Sequence, residues 1–134
     1  MKKRSESDVN AQVALQSYSD VKVKAAVAAA SPHDLIQMLF DGLLERIAQM
    51  KGAMEQKNIE LKNTKVNQAI SILFGLRESF DKSQNEALSE RLDGLYDYIQ
   101  RQLWKAHMKN DNAILNECAQ LINEISSAWS EIAE

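Results

Sequence analysis

The stretch SPHDLIQMLFDGLLERIAQMKGAMEQ, residues 31–56, decides the fold of this chain. Ser31 suits a helix N-cap, Pro32 suits the first helical position, and Asp34 can bond back as in a capping box. Large apolar side chains then recur at spacings of three and four, namely Ile36, Leu39, Leu43, Ile47, Met50 and Met54. That period is typical of an amphipathic helix, which we expect to end near Gln56.

The same period recurs three more times along the chain. It predicts helices over about 59–82, 86–109 and 112–133, separated by polar breaks at Asn58, 83–86 and 110–112. The stripe of the second helix is led by Val66, Ile70, Leu73 and Phe80, with Ala69 and Leu76 beside it. The joins are short, and short joins make neighbouring helices antiparallel. We therefore predict an all-α fold, an antiparallel up-down-up-down four-helix bundle, over residues 31–134.

Residues 1–30 differ from the rest of the chain. The first part is polar and lacks helical periodicity, which predicts a mobile N-terminal tail. The following stretch YSDVKVKAAVAAA, residues 18–30, is rich in alanine and could form a short helix. It has too little apolar area to be stable alone, so it needs a surface on which to lie.

Composition excludes several classes of protein. The 134 residues include 16 basic and 19 acidic side chains, a net charge of −3, which argues against general nucleic-acid binding. No apolar run reaches the ~20 residues of a membrane span, and no apolar stretch follows the basic start as in a signal peptide. We expect a cytoplasmic protein without membrane insertion. The single cysteine, Cys118, falls on an apolar stripe and is expected to be buried.

The sequence lacks the usual catalytic and metal-binding patterns. Two histidines and one cysteine are too few for a usual zinc site, and neither histidine follows a Glu-x-x-His pattern. There is no Gly-rich phosphate loop and no GxSxG. We therefore expect no catalytic residues, no cofactor and no metal, and a protein that is not an enzyme.

Some large apolar side chains fall outside the stripes. These are Leu44 in the first helix, Ile72 and Phe74 in the second, and Tyr98 and Trp104 in the third. A bundle core needs only three or four apolar positions in two turns. Either the stripes are wide and fill a thick bundle, or the surplus forms an exposed apolar groove for a partner. We favour the groove, because aromatic residues anchor protein interfaces.

The helix glycines leave a choice open. Gly42, Gly52, Gly75 and Gly94 each cost about 1 kcal/mol relative to alanine inside a helix. They mark either close helix packing or space for a partner, and the sequence does not separate the two.

Several motifs resemble the FliS family of flagellin-specific export chaperones. They are Ala30-Ser31-Pro32-His33-Asp34-Leu35-Ile36, Met38-Leu39-Phe40-Asp41-Gly42, Leu95-Tyr96-Asp97-Tyr98 with Arg101, Leu103 and Ala106, Asn110-Asp111, and Ala128-Trp129. Tyr18, fourteen residues before Pro32, suits the N-terminal tyrosine of that family. His107 departs from the pattern, since asparagine is expected after Ala106.

The resemblance implies a chaperone that binds the C-terminal region of newly made flagellin. It would hold that region in extended and helical pieces around the bundle, prevent premature polymerisation and aid delivery to the export apparatus, with co-chaperones as further partners. The N-terminal segment could cover the binding surface and be displaced. The expected flagellin-binding residues are Tyr18, Val21, Leu44, Ile72, Phe74, Tyr98 and Trp104.

Two other functions stay open from the sequence. A four-helix bundle can carry a phosphoryl group on an exposed histidine, and Ala106-His107-Met108-Lys109 faintly resembles that pattern. However, His107 lies about one turn from the end of its helix, where an imidazole also suits the helix dipole. A bundle that serves only as an oligomerisation module is the third possibility.

Overall fold

The computed structural model of the protein describes residues 28–81 and 86–132. It contains four long helices: α1 (Pro32–Glu55), α2 (Ile59–Asp81), α3 (Glu86–Lys109) and α4 (Asn112–Ser130). The predicted starts of all four are confirmed, and α4 ends three residues before the predicted end. The segment that contains Tyr18 and Val21, and residues 83–85 of the predicted polar break before α3, lie outside the described residues.

Side-chain caps fix three of the helix starts. The Ser31 hydroxyl accepts a hydrogen bond from the Asp34 N–H at 3.1 Å, as the sequence predicts. Asn58 accepts from the Leu61 N–H at 3.0 Å, and Asp111 accepts from the Ala113 N–H at 2.9 Å. Each cap satisfies a backbone donor that has no partner inside its own helix.

Two tight turns lie at one end of the bundle, which we call the turn end. Lys57 follows α1 and Asn110 follows α3, both in the left-handed backbone region with φ of 56° and 52°. In each turn the next N–H bonds back across the helix end, Asn58 to Ala53 at 2.9 Å and Asp111 to Ala106 at 3.1 Å. This is the Schellman pattern, made here without glycine.

The helices pack in a ring, so each has two neighbours and the bundle has four seams: α1–α2, α2–α3, α3–α4 and α1–α4. Contacts between the start of α1 and the end of α4, and between Lys51 and Asn116 further along, show that these two helices run antiparallel. The predicted all-α antiparallel four-helix bundle is confirmed. None of the helices in the described part of the chain is long and apolar enough to cross a membrane.

The core runs along the bundle axis and is almost entirely aliphatic. Its largest fully buried side chains are Phe40, Leu39, Leu43, Met50, Ile72, Leu76, Ile99, Leu103, Leu115, Ile122, Val66 and Cys118. The predicted burial of Cys118 is confirmed, and burial raises the pKa of its thiol to about 11. A thiol that resists ionisation is a poor nucleophile, so Cys118 serves as a small core residue.

Two basic side chains are buried beside this core. Arg46 is only 4% exposed and donates from Nη1 to the Gln68 Oε1 at 3.0 Å, joining α1 to α2. Burial lowers the pKa of the Arg46 guanidinium. Lys62 is 8% exposed, and its ammonium donates to the His107 carbonyl at 3.0 Å and to the Asn110 Oδ1 at 2.6 Å. These bonds tie α2 to the carboxyl end of α3.

Candidate functional site

Polar contacts at the two ends of the α2–α3 seam show which edges of α2 and α3 face each other. At one end Lys62 reaches the last turn of α3. At the other, Arg77 and Asp93 form a two-point ion pair, with Nε to Oδ1 at 2.5 Å and Nη2 to Oδ2 at 3.2 Å. The edge of α2 that carries Arg77 therefore faces the edge of α3 that carries Asp93.

Three apolar side chains lie along the same two edges. Ile70 is seven residues from Arg77, about two helical turns, so both lie on the same edge of α2. Trp104 is eleven residues from Asp93, about three turns, so both lie on the same edge of α3. Phe74 lies one turn from Ile70, further out. Ile70 and Trp104 are half-buried against the core, whereas Phe74 is 54% exposed. We call Ile70, Phe74 and Trp104 the α2–α3 apolar patch.

His107 lies beneath one end of this patch. Its ring meets the Trp104 ring edge-on, with centroids 5.8 Å apart and an interplanar angle of 76°. Its Nδ1 is buried and makes no hydrogen bond within the described residues. Burial, and then the nearby Lys62 charge, lower the pKa of His107. A partly buried ring under Trp104 is a poor phosphoryl acceptor, so the geometry does not favour the phosphotransfer alternative.

Tyr98 belongs to a different seam. Its hydroxyl donates to the Glu117 Oε1 at 2.5 Å, which places it between α3 and α4. This hydrogen bond to the carboxylate is the main reason that the pKa of Tyr98 is raised. The aromatic ring is partly exposed, as the sequence analysis expects, but it does not share a surface edge with Trp104.

Leu44 lies on the α1–α4 seam. It is seven residues from both Gln37 and Lys51, and each of these bonds to α4: Gln37 to Ser126 at 2.6 Å and Lys51 to Asn116 at 3.3 Å. The Leu44 side chain is half-buried and packs against the core. The exposed part of α4 nearby forms a shallow depression whose lining includes Asn116, Ala119 and Gln120.

The expectation that Ile72 is a surplus surface residue is wrong. Ile72 is fully buried in the α1–α2 seam, one turn from Gln68, the partner of Arg46. The true centre of the buried face of α2 is shifted from Ile70 towards Ala69 and Leu76, because α2 packs closely against α1 on that side. Ile72 can therefore contact a partner only if the core rearranges.

Of the five expected binding residues that lie within the described part of the chain, the structure brings together two. Phe74 and Trp104 share the α2–α3 seam, while Tyr98 and Leu44 lie on the α3–α4 and α1–α4 seams and Ile72 is buried. These side chains do not line one groove. A partner that touched the accessible ones would have to pass around the bundle, across several seams.

Sequence reasoning missed a contact that closes the α1–α4 seam. The rings of His33 and Trp129 stack with centroids 4.8 Å apart. His33 Nε2 lies 3.0 Å from the Trp129 carbonyl, and Trp129 Nε1 donates to the His33 carbonyl at 3.1 Å. We call this pair the His33–Trp129 clasp. No local signal could have predicted it, because its partners are 96 residues apart.

Fold and surface together define a helical-bundle protein with a partly exposed aromatic patch. The family model described as flagellar protein FliS matches residues 14–134, and the chain belongs to this family. It is 41% identical over 123 residues to the flagellar secretion chaperone FliSB of Pseudomonas aeruginosa, covering 92% of this chain and 98% of the relative.

Two further relatives carry the same description. The flagellar secretion chaperone FliS of Vibrio cholerae is 39% identical over 118 residues, covering 88% of this chain and 87% of the relative. The flagellar secretion chaperone FliS of Salmonella typhimurium is 34% identical over 120 residues, covering 89% of each chain. The resemblance that the motifs indicate is thereby confirmed across the bundle, and these relatives are named as chaperones rather than enzymes.

Proposed function

We propose that this protein is a cytoplasmic export chaperone for flagellin. It binds the C-terminal region of newly made flagellin, prevents premature polymerisation and aids delivery to the flagellar export apparatus, where co-chaperones are further partners. The relatives named as flagellar secretion chaperones support the general role. The observation that carries the flagellin contact is the exposed ring of Phe74, which lies one turn from half-buried Ile70 on the α2–α3 seam that also carries half-buried Trp104.

The physical argument starts from the client. Terminal helices of a filament subunit are amphipathic and aggregate by burying one another, and an apolar seam on a rigid bundle can accept such a helix instead. Each buried apolar side chain contributes about 1.5–3 kcal/mol, and ordering a disordered client takes back several kcal/mol. One seam is too small for tight binding, so the client also has to contact Leu44 and Tyr98 on other seams.

The N-terminal segment is proposed as a cover for this surface. Tyr18 and Val21 are the side chains expected to lie on it in the free protein and to be displaced when flagellin binds. Removing residues 1–28 is expected to leave the bundle folded and to change the affinity for flagellin. Unfolding of the truncated chain would refute the proposed cover.

The test of the flagellin contact is a calorimetric titration of the full chain with a flagellin C-terminal fragment. Phe74→Ala is expected to weaken binding by about tenfold or more, the loss typical of an anchor residue. Met108→Ala is the matched control, because Met108 is 80% exposed but lies outside the patch. Equal effects of the two substitutions would contradict the proposal, as would absence of binding to the unmodified chain.

A further inference from the structure

A second recess lies at the turn end, away from the apolar patch. It is a cavity of about 310 Å³ between the turn after α1 and the turn after α3. Its apolar walls are Ala53, Met54 and Ile59, and its polar lining includes Lys57, Lys62 and Asn110. A cavity of this size is at the small end of ligand sites and holds about one side chain with its polar group.

The charge in this cavity is not balanced by its lining. Lys62 is 8% exposed, and its two hydrogen-bond acceptors, the His107 carbonyl and the Asn110 side chain, are both neutral. An ammonium group has three donors, so one donor is left over. Among the described residues no carboxylate lies within ion-pair distance of Lys62 or Lys57. A buried cation ordinarily has a charged partner, so this position is suited to an anion.

The acidic residue in the turn after α3, Asp111, already accepts a hydrogen bond as the cap of α4. Asp111 follows Asn110 but uses its carboxylate to cap α4 through the Ala113 N–H. The effect of the Lys62 charge is seen on His107 instead, whose pKa it helps to lower. The turn end therefore combines a net positive cavity with apolar walls.

The mouth of the cavity is apolar as well. Ile59, at the first position of α2, is 68% exposed, which is unusual for a large aliphatic side chain beside a recess. The two turns that frame the cavity are held by backbone hydrogen bonds, so the backbone around the cavity is ordered before a ligand enters. A rigid site loses less free energy to ordering when a ligand enters.

We propose that the turn-end cavity docks a peptide segment of a partner protein in which a glutamate or aspartate adjoins a large aliphatic side chain. The carboxylate pairs with the Lys62 ammonium, and the aliphatic side chain contacts Met54 and Ile59. Charge complementarity selects an acidic partner, and the apolar walls select the neighbouring side chain. This site is separate from the α2–α3 apolar patch, so its failure would leave the flagellin proposal untouched.

The test uses two blocked dipeptides, acetyl-Leu-Glu-amide and acetyl-Leu-Gln-amide, titrated into the full chain and followed by NMR. The peptides have nearly the same size and differ in charge. The acidic peptide is expected to give saturable shifts at Ile59 and Asn110, with an affinity in the millimolar range, and the neutral peptide is expected to bind about tenfold more weakly. Binding of the acidic peptide should also raise the pKa of His107, because the bound carboxylate offsets the Lys62 charge.

Variants separate this site from non-specific binding. Replacement of Lys62 also removes its bond to the last turn of α3, so Ile59→Ser is the more informative variant. It is expected to weaken binding of the acidic peptide about fivefold or more. Met108→Ser changes a side chain that is 80% exposed, against 68% for Ile59, and that does not line the cavity, so it should leave binding unchanged. Equal affinity for both peptides, or shifts confined to other surfaces, would each overturn the proposal.

Discussion

The α1–α4 and α2–α3 seams are built differently although both join antiparallel helices. The α1–α4 seam is bridged by polar contacts along its length: Lys51 with Asn116, Gln37 with Ser126, and the His33–Trp129 clasp. The α2–α3 seam has polar contacts at its two ends and the apolar patch between them. The α1–α4 seam is joined by polar side chains at several levels, whereas the α2–α3 seam leaves apolar side chains partly exposed between its ends.

From this difference we expect the α1–α4 seam to contribute mainly to stability and the α2–α3 seam mainly to the proposed binding. An aromatic ring that is half exposed in the free protein contributes only part of its burial free energy to folding. The remainder becomes available when a partner covers it, which is how an interface anchor acts. The comparison therefore predicts that substitutions in the α1–α4 seam affect unfolding, and that substitutions at Phe74 affect affinity.

The largest expected effect is that of Trp129→Ala. It removes the stacked ring and the hydrogen bond to the His33 carbonyl, and should lower the free energy of unfolding by about 2–4 kcal/mol. Phe74→Ala should change it by less than about 0.5–1 kcal/mol, because the ring is already half in water. Denaturant unfolding of both variants measures the contrast, and equal losses would remove the distinction between the seams.

A milder substitution separates the contribution of the stacked ring in the His33–Trp129 clasp from that of the indole hydrogen bond. Trp129→Phe keeps a ring that can stack on His33 but loses the indole N–H, so the expected loss is about 1 kcal/mol. The same unfolding measurement applies. A loss as large as that of the alanine variant would show that the hydrogen bond, rather than the stacked ring, holds the two helix ends together.

Lys62→Met tests the polar end of the α2–α3 seam. It removes a charge-assisted bond to the last turn of α3, and we expect a loss of about 1.5–3 kcal/mol in unfolding free energy. The pKa of His107 should rise, because the Lys62 charge helps to keep it low. NMR titration of the His107 ring measures this directly, and an unchanged or lower pKa would contradict the assigned contact.

His107 also makes stability depend on pH. Its pKa in the folded protein is below the ordinary value of about 6.5, so the unfolded chain takes up the proton first as pH falls. Stability is fully present above about pH 6.5 and declines until the pH passes the folded-state pKa. His107→Asn should show a smaller loss of unfolding free energy between about pH 7.5 and pH 5. Equal losses in the two proteins would exclude this contribution.

A small gain in stability is expected from substitution of a helix glycine. A Cβ added at Gly94 would meet no atom within 4 Å, so close packing does not explain this glycine. Gly94→Ala should raise the free energy of unfolding by up to about 1 kcal/mol, through helix propensity alone. Gly52 is also in open space and should behave alike. If either variant unfolds at a lower temperature, the added methyl group meets a steric constraint that the described contacts do not show.

Local signals predicted the fold because its main determinants are local. The Ser31 cap, the Asp111 cap and the three-four spacing of apolar residues are all readable within one or two turns. The starts of the helices follow from them. The antiparallel order then follows from short joins, such as the Lys57 and Asn110 turns.

The surface was predicted less well because it depends on which helix edges meet. Ile72 lies outside the predicted apolar stripe, but α1 packs against its side of α2 and buries it. Lys62 is buried because acceptors at the end of α3 bind its ammonium group, and the pattern within α2 does not indicate them. The expected exposure of Phe74 is confirmed, because its ring lies further out than Ile70 on the same edge of α2. The clasp joins residues that are far apart in sequence and carries no periodic signal.

The most direct measurement of the central claim uses Trp104 as the only tryptophan. The chain has two tryptophans, so Trp129→Phe leaves Trp104 as the sole indole, beside Ile70 and Phe74 on the α2–α3 seam. Titration with a flagellin C-terminal fragment should shift Trp104 emission saturably, with the affinity found by calorimetry. Calorimetric binding without any change in that emission would contradict the claim that flagellin covers this seam.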